Sequence, residues 1–555
     1  MRGIGTFEVR HKDLLGRIGS LETKSGSLKT PHMFPVVNPS VQPVSPREIK
    51  EIGFDALMVN AYILKKAFRE EVLRKGIHEF LSFDGIVATD SGAYQALVYG
   101  KVEVSPEEIV KFQEAVGTDM GVILDVPTGY EEDRGRAKWT VEETLRRAEL
   151  SLKVLDRMDV LWMGPIQGGI HLDLVKLCAE EMGKKPFHVY AIGSPTQIME
   201  NYLFDKLVDM ILTAKMNLPL NKPLHLFGAG HPFMFALAVA CGCDLFDSAA
   251  YAIFARKGKY LTEGGTFSLE ELEYFPCSCE VCSSYSPKEV RSFEKLKREG
   301  LLARHNLSVC LEEIKRVKQA IVDGRLWELL EAKARAHPSL LSALRKLSEY
   351  KLFLEKHSPT IKKKGVFFFG SEGLSRPEIV RHKIRLKENY AKPKGSEVLV
   401  LLPAPKEKPF HKSPEVVKIL AGVGREPRVH LCFYATPFGL VPMELSDVYP
   451  LSQTEAAPLD KESLEASMKE ASAFILKQKY PKVLLIRPID ENFSALERMC
   501  VKNCVKAGSE LKVLRAKDAW GERTLKRVVK AIEGLIASAP SGNRLPTGAR
   551  EKREE

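Results

Sequence analysis

Over the first 340 or so residues, short apolar runs alternate with helix signals. Ile86-Val87-Ala88-Thr89, Gly121-Val122-Ile123-Leu124 and Leu224-His225-Leu226-Phe227 lack polar alternation, the pattern of parallel strands buried on both faces. Ser45-Pro46 and Ser105-Pro106 each read as an N-cap followed by proline in the first helical position. Ser105 with Glu108, and Thr140 with Glu143, have the spacing of capping boxes. Repeated strand–loop–helix units of this kind suggest a (β/α)₈ TIM barrel, in which reactive residues stand at the C-terminal ends of strands. Periodicity alone fits a doubly wound sheet as well. Asp90, Asp125, Gln167, Gly193 and Asp247 each follow an apolar run, where barrel chemistry is expected.

Residues 283–355 read as helical. Tyr285-Ser286-Pro287 opens the segment, a long stretch runs from Ala303 to Lys356, and Ile314, Val317, Ile321, Leu326 and Leu330 recur at helical spacing. After Lys362-Lys363-Lys364 the texture becomes basic and proline-containing, and Ala391-Lys392-Pro393-Lys394-Gly395-Ser396 reads as a linker. Four further apolar runs follow, Val398–Leu402, Val429–Tyr434, Val483–Ile486 and Leu511–Leu514, with helix patterns between them. The expected organisation is therefore an α/β chain with a barrel over 1–270 and a helical subdomain over 271–355. A basic linker over 356–395, a smaller α/β domain over 396–538 and a disordered charged tail over 539–555 complete it.

A chain of 555 residues is too long for one ordinary core. No run of eighteen apolar residues exists and the N-terminus has no signal-peptide core, so a cytoplasmic protein is expected. Ten cysteines without a disulfide framework suit a reducing compartment. The net charge of +11 is compatible with an RNA partner, but a surplus this small is common in proteins that bind no nucleic acid.

Two constellations carry chemistry. Cys277-Ser278-Cys279-Glu280-Val281-Cys282 places three thiolates in six residues, and His305 follows one segment later. Three sulfurs and an imidazole close a tetrahedral shell around Zn²⁺ with no position left for water, so the expected zinc is structural. The second constellation is Asp90 and Asp247, carboxylates at two strand ends. Cleavage of a glycosidic bond uses such a pair, one to attack or stabilise C1′ and one to move protons. Helix N-caps at βα junctions are the plain alternative for both.

Asp90-Ser91-Gly92-Ala93-Tyr94-Gln95, Ile166-Gln167-Gly168-Gly169, His225-Leu226-Phe227-Gly228-Ala229-Gly230-His231-Pro232, Phe246-Asp247-Ser248-Ala249 and the cysteine motif stand in that order. From about residue 5 to about residue 350 the chain resembles the tRNA-guanine transglycosylases, most closely their archaeal branch, which takes part in making archaeosine. The resemblance implies the barrel rather than the doubly wound sheet, with a zinc-binding helical subdomain stapled to it, and a homodimer formed near that subdomain. It also implies that Asp247 is the nucleophile that links covalently to ribose and that Asp90 is the general acid/base. The reaction implied is exchange of guanine at tRNA position 15, in the D-loop, for 7-cyano-7-deazaguanine (preQ0). Asp125 matches the base-reading aspartate, and a carboxylate suits the adjacent N1–H and exocyclic amine of a guanine-type base. Gln167 and the backbone at Gly193 would serve the O6 edge, Ser91 joins the substrate-binding set, and Tyr94 would stack on the base. The target nucleotide must leave its stack to arrive there. This chain departs from the family in having Gly193-Ser194 for Gly-Gly and Tyr94 where archaeal relatives often carry phenylalanine.

The C-terminal third resembles a domain of archaeosine synthases through Pro403-Ala404-Pro405-Lys406-Glu407-Lys408-Pro409-Phe410 and Ala435–Leu445. It lacks the cysteine those paralogues carry ahead of Lys-Pro-Tyr and has Phe410 for the tyrosine; no PUA pattern is found. Two alternatives to the transglycosylase stay open: a synthase-like paralogue acting on preQ0 already in tRNA, and a non-catalytic tRNA-binding subunit. Phosphate contacts are expected from Lys362–Lys364 and from Arg376 to Lys387.

Overall fold

The computed structural model describes residues 3–93, 104–424, 426–457 and 460–538. Tyr94 and the tail expected over 539–555 lie outside these residues. The chain forms two compact units, residues 1–363 and 364–555.

In the first unit an antiparallel sheet of β1 (Phe7–Asp13), β2 (Gly16–Thr23) and β3 (Gly26–Lys29) precedes a closed barrel of eight parallel strands. These are β4 (His32–Val37), β5 (Ala56–Asn60), β6 (Ile86–Asp90), β7 (Met120–Val122), β8 (Leu161–Ile166), β9 (Val189–Ile192), β10 (Leu224–Leu226) and β11 (Leu245–Ser248), with β11 pairing back on β4. The runs are apolar throughout because each strand feeds two cores. Ala56, Met58, Ile86, Ala88, Met120 and Leu161 form the barrel interior. Their alternating neighbours Leu57, Val59, Val87 and Trp162 pack with the surrounding helices. Leu21 and Leu28 join the interior cluster beside Ala56, Ile86, Met120 and Leu161, the first or second residues of their strands. The small sheet therefore plugs the end where the strands begin, leaving the C-terminal ends for chemistry.

The expected caps meet three outcomes. Ser45 and Glu48 form the full reciprocal box on the helix Pro46–Ile52. Ser105 accepts from the Glu108 amide at 3.1 Å, but the Glu108 carboxylate pairs with Lys65 instead of returning the bond. Thr140 is not a cap: it lies inside the helix Arg134–Lys153, whose cap is Asp133, and its hydroxyl donates to the Ala137 carbonyl.

After the barrel strands come a hairpin of β12 (Lys259–Leu261) and β13 (Thr266–Ser268) and then helices, the longest being Lys295–Asp323. Gly324, at φ +71°, ends that helix, so the expected run from Ala303 to Lys356 is four shorter helices and a 3₁₀ turn. No helix among the described residues is long and apolar enough to cross a membrane.

The second unit begins earlier than its apolar runs suggest. The segment 356–395 is not a linker: it contains β14 (Val366–Phe368) and the helix Pro377–Glu388, with Ile379, Val380 and Leu386 buried. Its basic composition is partly internal. Arg376 is fully buried, lies 3.5 Å from Glu378 and donates to the Phe367 carbonyl, and Arg381 is buried too. Lys362, in the first unit, is likewise buried against Asp13 at 2.6 Å. These three cations are structural and are unavailable to phosphates. The main sheet comprises β15 (Val398–Pro403), β16 (Val429–Ala435), β17 (Gly439–Pro442), β19 (Lys482–Pro488) and β20 (Glu510–Ala516), ordered β17-β16-β15-β19-β20, with β17 alone antiparallel. A short β18 (Thr454–Ala456) pairs with β14.

Candidate active site

Asp90 ends β6 directly opposite Asn60 at the end of β5. The Asn60 side-chain amide donates to Asp90 Oδ1 at 2.8 Å, and the Gly92 amide donates to the same oxygen at 2.7 Å. Asn60 is fixed from behind, because its own oxygen caps the next helix by accepting from the Ile63 amide at 2.9 Å. Asp247 lies in β11, and its Oδ1 accepts from His225 Nε2 at 2.8 Å and from the Gly228 amide at 3.0 Å. Asp247 does not cap the following helix, Ala250–Arg256, whose N-cap position is Ala249. His225 is fully buried, and its Nδ1 has no partner among the described residues, which assigns the ring hydrogen to Nε2.

Asp125 follows β7, Gln167 follows β8 and Gly193 follows β9. Gln167 Nε2 donates to Asp125 Oδ2 at 2.5 Å, while Gln167 Oε1 accepts from the Thr128 amide at 3.0 Å and the Ser194 hydroxyl at 3.2 Å. A Cβ at Gly193 would lie 2.2 Å from Gln167 Nε2, so only glycine leaves that amide room to hold the carboxylate. Ser194 adopts φ +56°, a left-handed backbone that glycine takes without strain. Its hydroxyl contact with Gln167 goes with that conformation.

Asp90, Ser91, Asp125, Gln167 and Asp247 line one cavity of about 510 Å³. Phe227, Tyr202 and Phe233 also line it, together with Ser194. Burial pushes the Asp90 carboxyl up to about 7; the nearby charges of Asp247 and Asp125 add to this, and the Gly92 and Asn60 hydrogen bonds oppose it. Burial also raises Asp125, to about 6, against the bond from Gln167. A carboxyl that exchanges its proton near neutral pH, facing a second carboxylate across a pocket, suits bond cleavage at an acetal-type carbon. Asn60 and His225 were not singled out from the sequence. The available signal was a polar residue at the end of one buried strand, and an imidazole inside another.

Cys277, Cys279, Cys282 and His305 bring their donor atoms within 4.8 Å of one another. His305 Nδ1 lies 3.3 Å from Cys282 Sγ and 3.5 Å from Cys279 Sγ, while its Nε2 bonds the Leu261 carbonyl at 2.8 Å. That second bond turns Nδ1 toward the sulfurs, as in metal-bound histidines. Tyr260 stacks on His305 with ring centroids 3.7 Å apart. The donor set and its orientation fit a single metal ion.

A family profile for queuine tRNA-ribosyltransferase matches residues 13–339, and one for a domain of unknown function (DUF5591) matches residues 379–527. A protein of Methanocaldococcus jannaschii named tRNA-guanine(15) transglycosylase is 46% identical over 486 residues, covering 85% of this chain and 72% of the relative. The protein of the same name from Saccharolobus solfataricus is 43% identical over 492 residues, covering 86% of this chain and 96% of the relative. The profile covers more than half of the chain and coincides with the barrel and its carboxylate-lined mouth, so this chain belongs to the tRNA-guanine transglycosylase family of pentosyltransferases.

Proposed function

We propose that the chain is a tRNA-guanine(15) transglycosylase that exchanges guanine for preQ0 through a covalent aspartyl-ribose intermediate. The observation that carries this reading is the meeting of Asp90, Asp125 and Asp247 around one cavity. The position in tRNA rests on the name shared by the relatives.

With Asp247 Oδ1 held by His225 and Gly228, Oδ2 attacks ribose C1′. The C1′–N9 bond breaks, its electron pair leaves with guanine, and the Asp90 proton neutralises the departing base. Guanine diffuses away while the ester to Asp247 persists. The incoming base loses its N9 proton to the Asp90 carboxylate, N9 attacks C1′, and the ester bond breaks to restore the Asp247 carboxylate. Two inversions retain the anomeric configuration. Asp125 reads N1–H and the exocyclic amine of either base, with Gln167, Ser91 and the Gly193 backbone around it. Tyr94 retains its assigned stacking role in this proposal.

Zinc is the proposed metal, held by Cys277, Cys279, Cys282 and His305, and its contribution is structural. A homodimer near the cysteine cluster belongs to the same reading. Tyr274 and Leu296, on the segments flanking the cluster, are 84% and 82% exposed, which suits an apolar contact with a second copy. Of the alternatives, the synthase-like paralogue has no need of an attacking carboxylate and the non-catalytic subunit no need of the whole trio.

The test loads tRNA with radiolabelled guanine at the target position and follows label release on adding unlabelled preQ0 or its aminomethyl relative. Wild type should release label with preQ0 and give a protein–tRNA adduct on a denaturing gel; Asp247→Ala should do neither. Absence of release by wild type on a competent tRNA would refute the exchange reading.

A further inference from the structure

The positive surplus of this chain is unevenly distributed. Residues 1–363 carry forty-nine lysines and arginines against forty-eight aspartates and glutamates, whereas residues 364–538 carry thirty against twenty-one. Within the second unit most of the surplus lies between Ser494 and Lys530, with ten basic residues against four acidic ones. The stretch is continuous in sequence, and its two helices pack on opposite faces of the sheet, Ser494–Ala507 with Val483 and Leu485 and Glu522–Ala537 with Leu484 and Ile486. The helix Ser494–Ala507 leads into β20, the edge strand of the sheet, and the helix Glu522–Ala537 leaves it.

The helix Glu522–Ala537 buries Leu525, Val528, Ala531, Ile532 and Leu535 on one side. Arg523, Lys526, Arg527 and Lys530 occupy the other side at i, i+3, i+4 and i+7, and all four are exposed. None has an ion pair or side-chain hydrogen bond among the described residues. Like charges at these spacings destabilise a helix; Glu522 and Glu533 stand only at the two ends of the stripe, and no carboxylate lies on this face between Arg523 and Lys530. Arg498, Lys502 and Lys506 repeat the pattern at i, i+4 and i+8 on the preceding helix, also exposed and unpaired among the described residues. Lysine on an edge strand discourages strand pairing, which accounts for Lys512 on β20 but not for two helical stripes.

We propose that the exposed face of the helix Glu522–Ala537 in the second unit, carrying Arg523, Lys526, Arg527 and Lys530, binds the phosphate backbone of tRNA. The proposal rests on tRNA being the substrate of the barrel. Four guanidinium and ammonium groups on one helix face, one turn apart, present a row of cations to a polyanion without reading its bases. The unit thereby adds affinity for tRNA and leaves the chemical step to the barrel. It is a different surface from Lys362 and Arg376, whose charges are consumed internally.

The test uses the full-length protein with Arg523→Gln, Lys526→Gln, Arg527→Gln and Lys530→Gln combined, all at exposed positions that tolerate glutamine in a helix. A control replaces four exposed lysines of the first unit, Lys111, Lys288, Lys351 and Lys356, by glutamine. Binding to unmodified tRNA transcript is measured against salt concentration. The stripe variant should bind about tenfold or more weakly, and the slope of log K against log salt should fall by up to about 3. KM for tRNA should rise with kcat unchanged, and the control should resemble wild type. Wild-type affinity and slope in the stripe variant, or an equal loss in the control, would overturn the proposal. Because binding is read without turnover, failure of the exchange reaction would leave this result interpretable by itself.

Discussion

His225 Nε2 lies 2.8 Å from Asp247 Oδ1, and the Gly228 amide reaches the same oxygen from 3.0 Å. Two donors on one oxygen fix the carboxylate plane and leave the other oxygen for the proposed attack on C1′. Removing the imidazole donor should free the carboxylate to rotate. His225→Phe is therefore expected to lower kcat about 10–10²-fold with KM for tRNA little changed, the range expected when a reacting group loses its orientation. His225→Gln, which can still donate, should recover part of the loss. Single-turnover adduct formation separates this positioning effect from mere loss of folded protein.

The pH dependence follows from two raised carboxyls. In the proposed exchange Asp90 is protonated to assist guanine's departure, so kcat/KM should fall as pH rises through about 7. In the same proposal Asp125 is ionised to accept the base's N–H groups, so activity should also fall below about 6. The expected profile is a narrow bell with macroscopic limbs belonging to the carboxylate set. Asn60→Ala removes a bond that favours the Asp90 anion, so its alkaline limb should move upward. An alkaline limb unmoved in Asn60→Ala would contradict the assignment.

The same shift predicts a stability effect. Folding raises the Asp90 pKa from 3.8 to about 7, so the folded protein holds this proton more tightly than the unfolded chain does. That stabilising contribution is present below pH 4 and is lost as pH rises through 7. Asp90→Asn avoids the buried charge. Relative to wild type it should gain up to about 4 kcal/mol at pH 8 and little at pH 4, as measured by urea unfolding.

The parallel strands were legible because runs such as β6 are buried and read as uninterrupted apolar stretches, with Asp90 at the end of that one; closure into a barrel rather than a doubly wound sheet came only from the family resemblance. The convergence of Cys277, Cys279 and Cys282 was legible from their spacing, since three cysteines within six residues need only a turn to come together. Thr140 misled because Thr-x-x-Glu also occurs inside helices; the operative cap, Asp133, accepts from the Gly135 and Arg136 amides. The segment 356–395 misled because a basic, proline-containing composition resembles a linker even when Arg376 pairs with Glu378 in a core. His225 and Asn60 were hidden for a different reason: their roles depend on the register between neighbouring strands, which no local pattern records.

Gly193 should be intolerant of a single methyl group. Its Cβ would meet Gln167 Nε2 at 2.2 Å and the Ile166 carbonyl at 3.0 Å. Gly193→Ala should push Gln167 off Asp125, removing the donor that opposes the rise of the Asp125 carboxyl. Two consequences are expected together: kcat/KM falls about 10²-fold through misplacement of the proposed base-reading pair, and the acid limb of the pH profile moves upward. A fall in rate with an unmoved acid limb would show that the methyl group acts on something other than the Gln167–Asp125 contact.

The cysteine cluster should act on stability more than on catalysis. It joins the turn at 277–282 to the helix Lys295–Asp323 through His305, and His305 Nε2 ties that helix to the Leu261 carbonyl at the end of β12. The carboxylates stand on other elements, β6, the β7 end and β11. Purified protein should contain one zinc per chain by elemental analysis, and Cys279→Ser should contain none. Structural zinc supplies several kcal/mol of folding energy, so loss of about 3 kcal/mol should lower the Tm of this large unit by roughly 4 °C. At a temperature where the Cys279→Ser protein remains folded, guanine release should persist, with protease cleavage increasing between residues 270 and 295. A metal-free protein with unchanged Tm and unchanged proteolysis would remove zinc from the structure of this enzyme. Loss of exchange at full fold would instead place the metal nearer to the chemistry than its four-ligand shell allows.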